Sequence, residues 1–322
     1  MLAEDPGAAP PAYDAAVRAA QIAELGTLPR AADVEGGGDI EIVAVALNPL
    51  DLAVAAGRFY GGHPPLPYVP GCEAVGRLGG ERVYLFGDGR GTRQDGFLVE
   101  RTDIPRELTA KVPDGLDDAV AATCGIAGIA GWLPLSERAP VRADDRVLVL
   151  GATGTVGSVT VQVARLLGAR RVVAAGRNLE RLERARALGA DETVLLDGDD
   201  LAGRLREAAG GEGPTLVVDG LWAEPLRAAV EAAAPGARIV HVGQSAGPET
   251  TLASAAVRGK RLSIVGHSNF GLSPAEHARA YGEVSEHVAA GRITIDVETF
   301  SLDDVAEAWA AQGSGAKAVV RL

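Results

Sequence analysis

Residues 147–169, VLVLGATGTVGSVTVQVARLLGA, run from an apolar stretch through Gly151, Gly154 and Gly157 into an amphipathic pattern. That order of types can hold a phosphate, because the first turn of a helix leaves backbone N–H groups unpaired and carries the positive end of the helix dipole. Residues 152–157 spell an A-x-G-x-x-G, with Ala152 where the dinucleotide fingerprint begins on glycine, Thr153 before Gly154, and Thr155 and Val156 between the two remaining glycines. Gly154 would admit a pyrophosphate to the backbone and Gly157 would let the helix pack close to the strand. A sharp strand-to-helix turn in an ordinary core would also use Gly151 and Gly154, so the surrounding elements must decide.

A second test lies at the end of the next apolar run, VVAAGRN, where an NAD site presents an acid to the ribose hydroxyls. Here stand Gly176, Arg177 and Asn178. A guanidinium gripping a 2′-phosphate contributes about 1.5–3 kcal/mol, or one to two decades of preference for NADP over NAD. The alternative is that Arg177 is a solvated loop charge. Arg181, one turn on, either assists or lies on the surface.

Positioning such residues takes a regular scaffold, and residues 146–267 repeat one unit of short β-branched run, turn and helical segment. The runs are RVLVL (146–150), RVVAA (171–175), TVLL (193–196), TLVVD (215–219), ARIVHVG (237–243) and RLSIVG (261–266). Continuous apolar strands alternating with helices predict a doubly wound α/β domain on a six-stranded parallel sheet. Ligands of such sheets sit at the carboxyl ends of the strands, which nominates Asp219 and Gly220, Val242 and Gly243, and His267, Ser268 and Asn269. Each alone is also an ordinary turn residue.

Before residue 120 the pattern changes to short alternating strands such as IEIVAVAL among frequent Gly and Pro, which predicts an irregular β domain. PAEHARAYGEVSEHVAAG reads as a helix and GAKAVVRL as a last strand returning to the first domain. The 322 residues suit two domains with a cleft between them. A net charge of −12 without a basic run argues against nucleic acid. The opening MLAEDPGAAPPA reads as a flexible tail without signal-peptide regions, and no uninterrupted apolar run is of membrane-spanning length. Cys72 and Cys124 are too few for a disulfide framework or a zinc lobe, which makes the cytoplasm the expected compartment.

NPLDLAVAAGRFYGGHPPLPYVPGCEAVG and KVPDGLDDAVAATCGIAGIAGWLPL before the fingerprint, with LGADETV and AKAVVRL after it, resemble the medium-chain dehydrogenase/reductase superfamily. The likeness runs from about residue 13 onward and is to the zinc-independent, quinone oxidoreductase-like branch. It implies a GroES-like substrate domain from residues 1–125 and 268–322, with a Rossmann NADP-binding domain, 126–267, inserted between. It also implies a homodimer paired through the RLSIVG strands. Zinc-dependent members of this superfamily carry Cys, His and Cys ligands. The corresponding places here hold Asn48, Cys72 and Ile126, which cannot supply the three protein ligands a catalytic zinc needs. Glu73 beside Cys72 is a possible ligand or relay, but two adjacent residues leave such a site incomplete.

What remains is hydride chemistry carried by a nicotinamide, with a quinone or α,β-unsaturated carbonyl as acceptor. The resemblance places Asn48 and Asp51 at the reacting end, Asn48 as an amide donor and Asp51 as a loop-orienting group or a purely structural one. Tyr60 is the best-placed phenol for proton donation, or else a rim aromatic. Ala53, Ala55 and Ala130 stand where many members of the branch carry Tyr, Arg and Thr, and Phe59 represents the loop's second aromatic, so the pocket is less polar. Alternatives are a zinc-free alcohol or ketone reductase, and a non-catalytic NADPH-binding protein of the sensor or crystallin kind.

Overall fold

A hairpin of β1 (Ala16–Gln21) and β2 (Arg30–Glu35) opens the part of the chain, residues 16–322, that the computed structural model describes. The segment MLAEDPGAAPPA, read above as a tail, lies outside the described residues. Next come β3 (Ile40–Ala46), the short helix α1 (Pro49–Ala55), β4 (Glu73–Leu78), β5 (Glu81–Phe86), β6 (Arg101–Thr102) and β7 (Thr109–Lys111). A helical run, Asp118–Arg138, follows, made of α2 (Asp118–Thr123) and α3 (Ile129–Leu133) joined and ended by widened turns at Cys124–Gly128 and Pro134–Arg138. The run is long and apolar enough by composition to cross a bilayer, but its apolar faces are consumed in the protein core.

The repeating units then appear in the order the periodicity predicts: β8 (Arg146–Leu150), α4 (Thr155–Leu166), β9 (Arg171–Gly176), α5 (Leu179–Ala187), β10 (Glu192–Leu195) and α6 (Leu201–Ala208). They continue through β11 (Leu216–Asp219), α7 (Ala223–Ala232), β12 (Arg238–His241), α8 (Ser254–Gly259) and β13 (Ser263–Gly266). All six strands pair in parallel in the order β10-β9-β8-β11-β12-β13, a doubly wound sheet whose switch point falls between β8 and β11. The fifth and sixth strands are shorter than the apolar runs suggest. Val242 and Gly243 have already left the ladder, and Arg261 adopts a left-handed φ of 53° that breaks the run before Ser263.

After β13 the chain forms α9 (Pro274–Ala289), β14 (Glu298–Ser301), α10 (Val305–Ser314) and β15 (Ala318–Arg321). The last strand does return, as expected: β15 lies antiparallel to β3 and parallel to β14 in a seven-stranded sheet ordered β14-β15-β3-β4-β5-β7, with β6 on β3. One core joins the two sheets. Tyr84 and Phe86 of β5 share it with Val149 of β8, Val159 of α4 and Val284 of α9. Close packing of this kind transmits position, so the two sheets are held in fixed relation.

Within that core, Tyr84 and Tyr281 stack with centroids 4.1 Å apart, and His277 stacks on Phe86 at 4.0 Å. His277 is buried, its Nε2 has no hydrogen-bond partner, and burial pushes its pKa down to about 4. Between the unfolded value of 6.5 and about 4, the unfolded chain binds a proton that the folded chain refuses. Stability from this group is therefore intact above pH 6.5 and falls as pH drops toward 4, by up to about 3 kcal/mol. Urea midpoints measured from pH 7 to pH 4 should show that His277→Phe, which keeps the stack, flattens this acid-side loss.

Candidate active site

The carboxyl edge of the parallel sheet collects every residue the sequence nominates for a cofactor. Gly154 caps α4, and among the described residues no acceptor takes the N–H of Thr155, Val156 or Gly157. These three amides form an open anion seat at the start of a twelve-residue helix. Gly157 is obligatory there, since a Cβ on it would lie 2.2 Å from the Gly151 carbonyl oxygen. Ala152 is buried beneath the turn and Thr153 is half-buried beside it.

At the end of β9, Gly176 is buried and Arg177 is exposed, with no hydrogen bond or ion pair inside the described residues. Asn178 is committed to the fold: its Oδ1 accepts the Arg181 N–H at 2.9 Å and caps α5. Arg181 is not a surface bystander. Its guanidinium donates to the Gly315 carbonyl (2.6 Å) and the Thr153 carbonyl (3.4 Å), lacing the fingerprint turn to the α10–β15 connection. A cavity of about 280 Å³ lies alongside, lined by Thr153, Thr155, Ser158, Arg181 and Lys317 among others.

The later strand ends divide in two. Gly220, Val242 and Gly243 are half-exposed on the crevice, and a Cβ at Gly243 would sit 3.2 Å from the Gly220 carbonyl oxygen. Asp219, by contrast, is fully buried, which corrects its nomination as a direct contact. Its carboxylate accepts the N–H groups of Leu221 and Trp222 and pairs with His241 Nδ1 at 2.9 Å, fixing a turn in which Trp222 takes a φ of 61°. His267 is also buried, between Asn269 Oδ1 at 3.0 Å and the Arg138 guanidinium at 3.4 Å. Ser268 accepts the Phe270 N–H, and the Asn269 amide donates to the Ile126 carbonyl at 3.0 Å, tying the sixth strand end to the helical run.

Asn48 and Asp51 lie at the start of α1, which Pro49 begins. Asp51 Oδ2 accepts the Asn48 N–H at 2.8 Å, a bond that satisfies backbone within NPLDL and fits the loop-orienting and the purely structural role alike. Burial pushes its pKa up to about 6, against the opposing pull of the neighbouring Cys72 thiol and the Asn48 N–H. Asn48 departs from the donor role. Its amide hydrogens go to Glu73 Oε1 (2.8 Å) and the Ala46 carbonyl (3.2 Å), leaving none for a ligand.

Glu73, set aside in the sequence as an incomplete ligand, is the hub. It is fully buried, and its Oε2 accepts the Tyr84 hydroxyl at 2.8 Å and the Ile126 N–H at 2.6 Å. The Ile126 donor sits in the widened turn at Cys124–Gly128, a distortion of the helical ladder that often marks functional sites. Lys317, missed by the sequence reading, is buried beside them and donates to the Leu47 carbonyl and to Asn48 Oδ1, both at 2.8 Å, with Glu73 Oε1 at 3.6 Å. The signal was one opposite charge in each of two otherwise apolar strands, CEAVG and AKAVV. Cys72 and Cys124 are buried free thiols.

Tyr60 stands apart from this cluster, 86% exposed, with its ring 4.6 Å from Phe59. Phe59 in turn lies 6.0 Å from Phe270 on the loop after β13, so three aromatics run from the loop after α1 to the loop after β13. Tyr68, Tyr84 and Tyr281 are buried, which leaves Tyr60 as the accessible phenol among the described residues.

The donor set does not suit a catalytic zinc. Of the three ligand places, Ile126 has no ligating side chain, Asn48 Oδ1 is taken by an ammonium, and only Cys72 could bind as a thiolate. Burial pushes that thiol well above its usual range, with the Asp51 carboxylate adding to the shift. No cluster of three His, Cys, Asp or Glu groups at metal-binding spacing occurs among the described residues. The dinucleotide seat, by contrast, has its amides open.

Gly125 shows how tightly the hub is built, because a Cβ there would fall 1.8 Å from the Tyr84 hydroxyl and 2.4 Å from Glu73 Oε2. Gly125→Ala is expected to cost about 3 kcal/mol or more in chemical denaturation, beyond any helix-propensity gain.

A family model described as zinc-binding dehydrogenase matches residues 155–285. A phenolphthiocerol/phthiocerol polyketide synthase of Mycobacterium tuberculosis is 30% identical over 292 residues, 86% of this chain, which spans 13% of that synthase's length. The chloroplastic NADPH-dependent alkenal/one oxidoreductase of Arabidopsis thaliana is 34% identical over 48% of this chain and 44% of its own. Among solved structures, an NAD-dependent alcohol dehydrogenase superposes with a TM-score of 0.82 at 27% identity, covering 95% of this chain and 99% of that one. Fold, fingerprint and these likenesses agree: the chain belongs to the medium-chain dehydrogenase/reductase superfamily.

Proposed function

We propose that this chain is an NADPH-dependent, metal-free reductase of quinones or α,β-unsaturated carbonyls. The observation that carries the reading is the pairing of three open amides at Thr155, Val156 and Gly157 with an unpartnered Arg177 at the end of β9, where no acid stands. The amides would hold the pyrophosphate and Arg177 the 2′-phosphate. Bound there, the nicotinamide supplies a hydride. The division at 125/126 and 267/268 into substrate and cofactor domains belongs to the same reading.

The chain's own contribution is position and charge. Gly220, Val242 and Gly243 offer close backbone approach, and the fixed Asn48 turn shapes the floor of the site. The negative charge that develops on a carbonyl oxygen when a hydride reaches the β-carbon needs a donor. With the Asn48 amide spent, loop N–H groups supply it. Phe59, Tyr60 and Phe270 give the entrance an apolar character that favours a large enone over a small polar quinone. An unsaturated acyl chain of the polyketide type belongs to the same chemical class, and the 30% likeness to a polyketide synthase supports including it. The alcohol or ketone reductase reading draws support from the alcohol dehydrogenase likeness. It requires Tyr60 as a proton donor to an alkoxide.

The β13 edge supports a homodimer as well. Ser263–Gly266 ends the parallel sheet with every residue exposed, Ile264 and Val265 included, a row of unpaired strand groups that a second copy would cover. Light scattering should give twice the chain mass, and a monomer would end this part.

Calorimetry should show NADPH binding more tightly than NADH by one to two decades, and Arg177→Glu should abolish the difference. Equal affinities before and after that change would remove the cofactor assignment. NADPH oxidation across a panel of quinones, long-chain enones and ketones tests the chemistry. Tyr60→Phe should leave quinone reduction within about twofold while lowering any ketone reduction by about 10²-fold or more.

A further inference from the structure

Two strand ends wall the crevice in which the cofactor is proposed to lie: Gly220 follows Asp219 of β11, and Val242 and Gly243 follow His241 of β12. The turn after Gly220 is strained. Trp222 stands at φ 61° and ψ −153°, angles essentially reserved for glycine, and Ala223 follows at φ 49°. Such a backbone persists only where its surroundings over-determine it. Here the Gly220 carbonyl accepts the Ser245 N–H and hydroxyl at 3.3 and 3.1 Å, and the Leu221 carbonyl accepts the Ala246 N–H at 2.9 Å. On the buried side, Asp219 Oδ1 takes the N–H groups of Leu221 and Trp222 at 2.9 and 3.0 Å. Asp219 thus anchors the turn, and its own anchor is His241. The carboxylate has no solvent, and among the described residues no arginine or lysine pairs with it. Its Oδ2 instead meets His241 Nδ1 at 2.9 Å, which assigns the proton of the neutral ring to Nδ1. The Trp222 indole lies on the same imidazole, with centroids 4.2 Å apart. His241 therefore grips the strained turn on both sides of Gly220, by a hydrogen bond before it and a ring contact after it.

We propose that His241 is a positioning residue for the cofactor: its Nδ1–H holds Asp219, and through it the strained turn, so that the Gly220 and Gly243 backbones keep the spacing a dinucleotide meets. That spacing is narrow, since a Cβ on Gly243 would lie 3.2 Å from the Gly220 carbonyl oxygen. Without the imidazole donor, Asp219 Oδ2 keeps only a long bond from the Trp222 N–H, at 3.3 Å. A buried carboxylate short of partners draws in water or a proton, and either change slackens its hold on the two amides. The strain is then relieved by rotation of the turn, and the Gly220 carbonyl moves with it. The role rests on the NADPH reading above. The dependence of the turn on His241 does not, and it is measurable with no ligand present.

Two substitutions separate the donor from the ring. His241→Asn returns an N–H near the place of Nδ1, and His241→Phe keeps a ring beside Trp222 without a donor. In the ligand-free protein, hydrogen exchange at the Leu221 and Trp222 amides should run about tenfold or more faster in His241→Phe and stay within about threefold of the parent in His241→Asn. NADPH affinity by calorimetry should follow the same order, about tenfold weaker for His241→Phe and within about threefold for His241→Asn. If His241→Phe does not fold, His241→Gly takes its place, because the His241 side chain is 26% exposed and a small molecule can reach its space. At about pH 8.5, imidazole should restore slow exchange, and N-methylimidazole, neutral there and without an N–H, should not. Equal losses in His241→Phe and His241→Asn, or equal rescue by the two imidazoles, would reduce His241 to bulk and overturn the proposal. Fast exchange with NADPH affinity unchanged would overturn the positioning role and leave the cofactor reading intact. A parent protein that binds no NADPH would remove that reading and the role together, whatever the exchange rates.

Discussion

A carboxylate with no solvent at all has to find every one of its hydrogen bonds inside the protein, and Glu73 is that group here. Its partners come from four separate stretches of chain: the turn before α1, strand β5, the widened turn after α2, and, as counter-charge, the connection into β15. None of those stretches can move far without leaving a charge exposed to a low-dielectric interior. The geometry around Asn48 and Ile126 thus follows from one group's need for compensation. The aromatic stack of Tyr84, Tyr281, Phe86 and His277 sets the height at which the Tyr84 hydroxyl meets it.

The same network connects the two sheets. Ile126 gives its N–H to Glu73 and takes the Asn269 amide on its carbonyl, so one residue of the helical run is held by the seven-stranded sheet on one side and by the loop after β13 on the other. Arg181 makes a second bridge, from the fingerprint turn to Gly315. Two polar bridges and one continuous apolar core make the cleft a defined shape, which is what orientation of a cofactor against a substrate requires.

Much of this was legible in the residues. The six strands of the parallel sheet were readable because a strand buried on both faces must be apolar throughout, and a helix that covers it must repeat near 3.6. The fingerprint was readable because Gly157 has no room for a side chain. The return of the last strand followed from its apolar spelling. The buried cluster around Glu73 was not legible. Asn48 was identified by place, but whether its amide faces a ligand or Glu73 depends on a partner 25 positions away, and Lys317 lies 269 positions away. Local pattern carries no information about such pairings. Asp219 and His267 were misjudged for a related reason: standing at a strand end fixes the backbone near the crevice but leaves the side chain free to turn inward.

The pairing of β15 with β3 has a consequence for how the site comes into being. Residues 319–321 lie against residues 44–46, so the contact closes a loop that contains the entire parallel sheet. While the chain is still being synthesised, that sheet and its nucleotide seat have all their residues well before the ribosome reaches Lys317. An unfinished chain therefore holds every residue of the parallel sheet but not the β15–β3 contact, which forms in one late step, when the returning strand carries its ammonium in beside the waiting carboxylate.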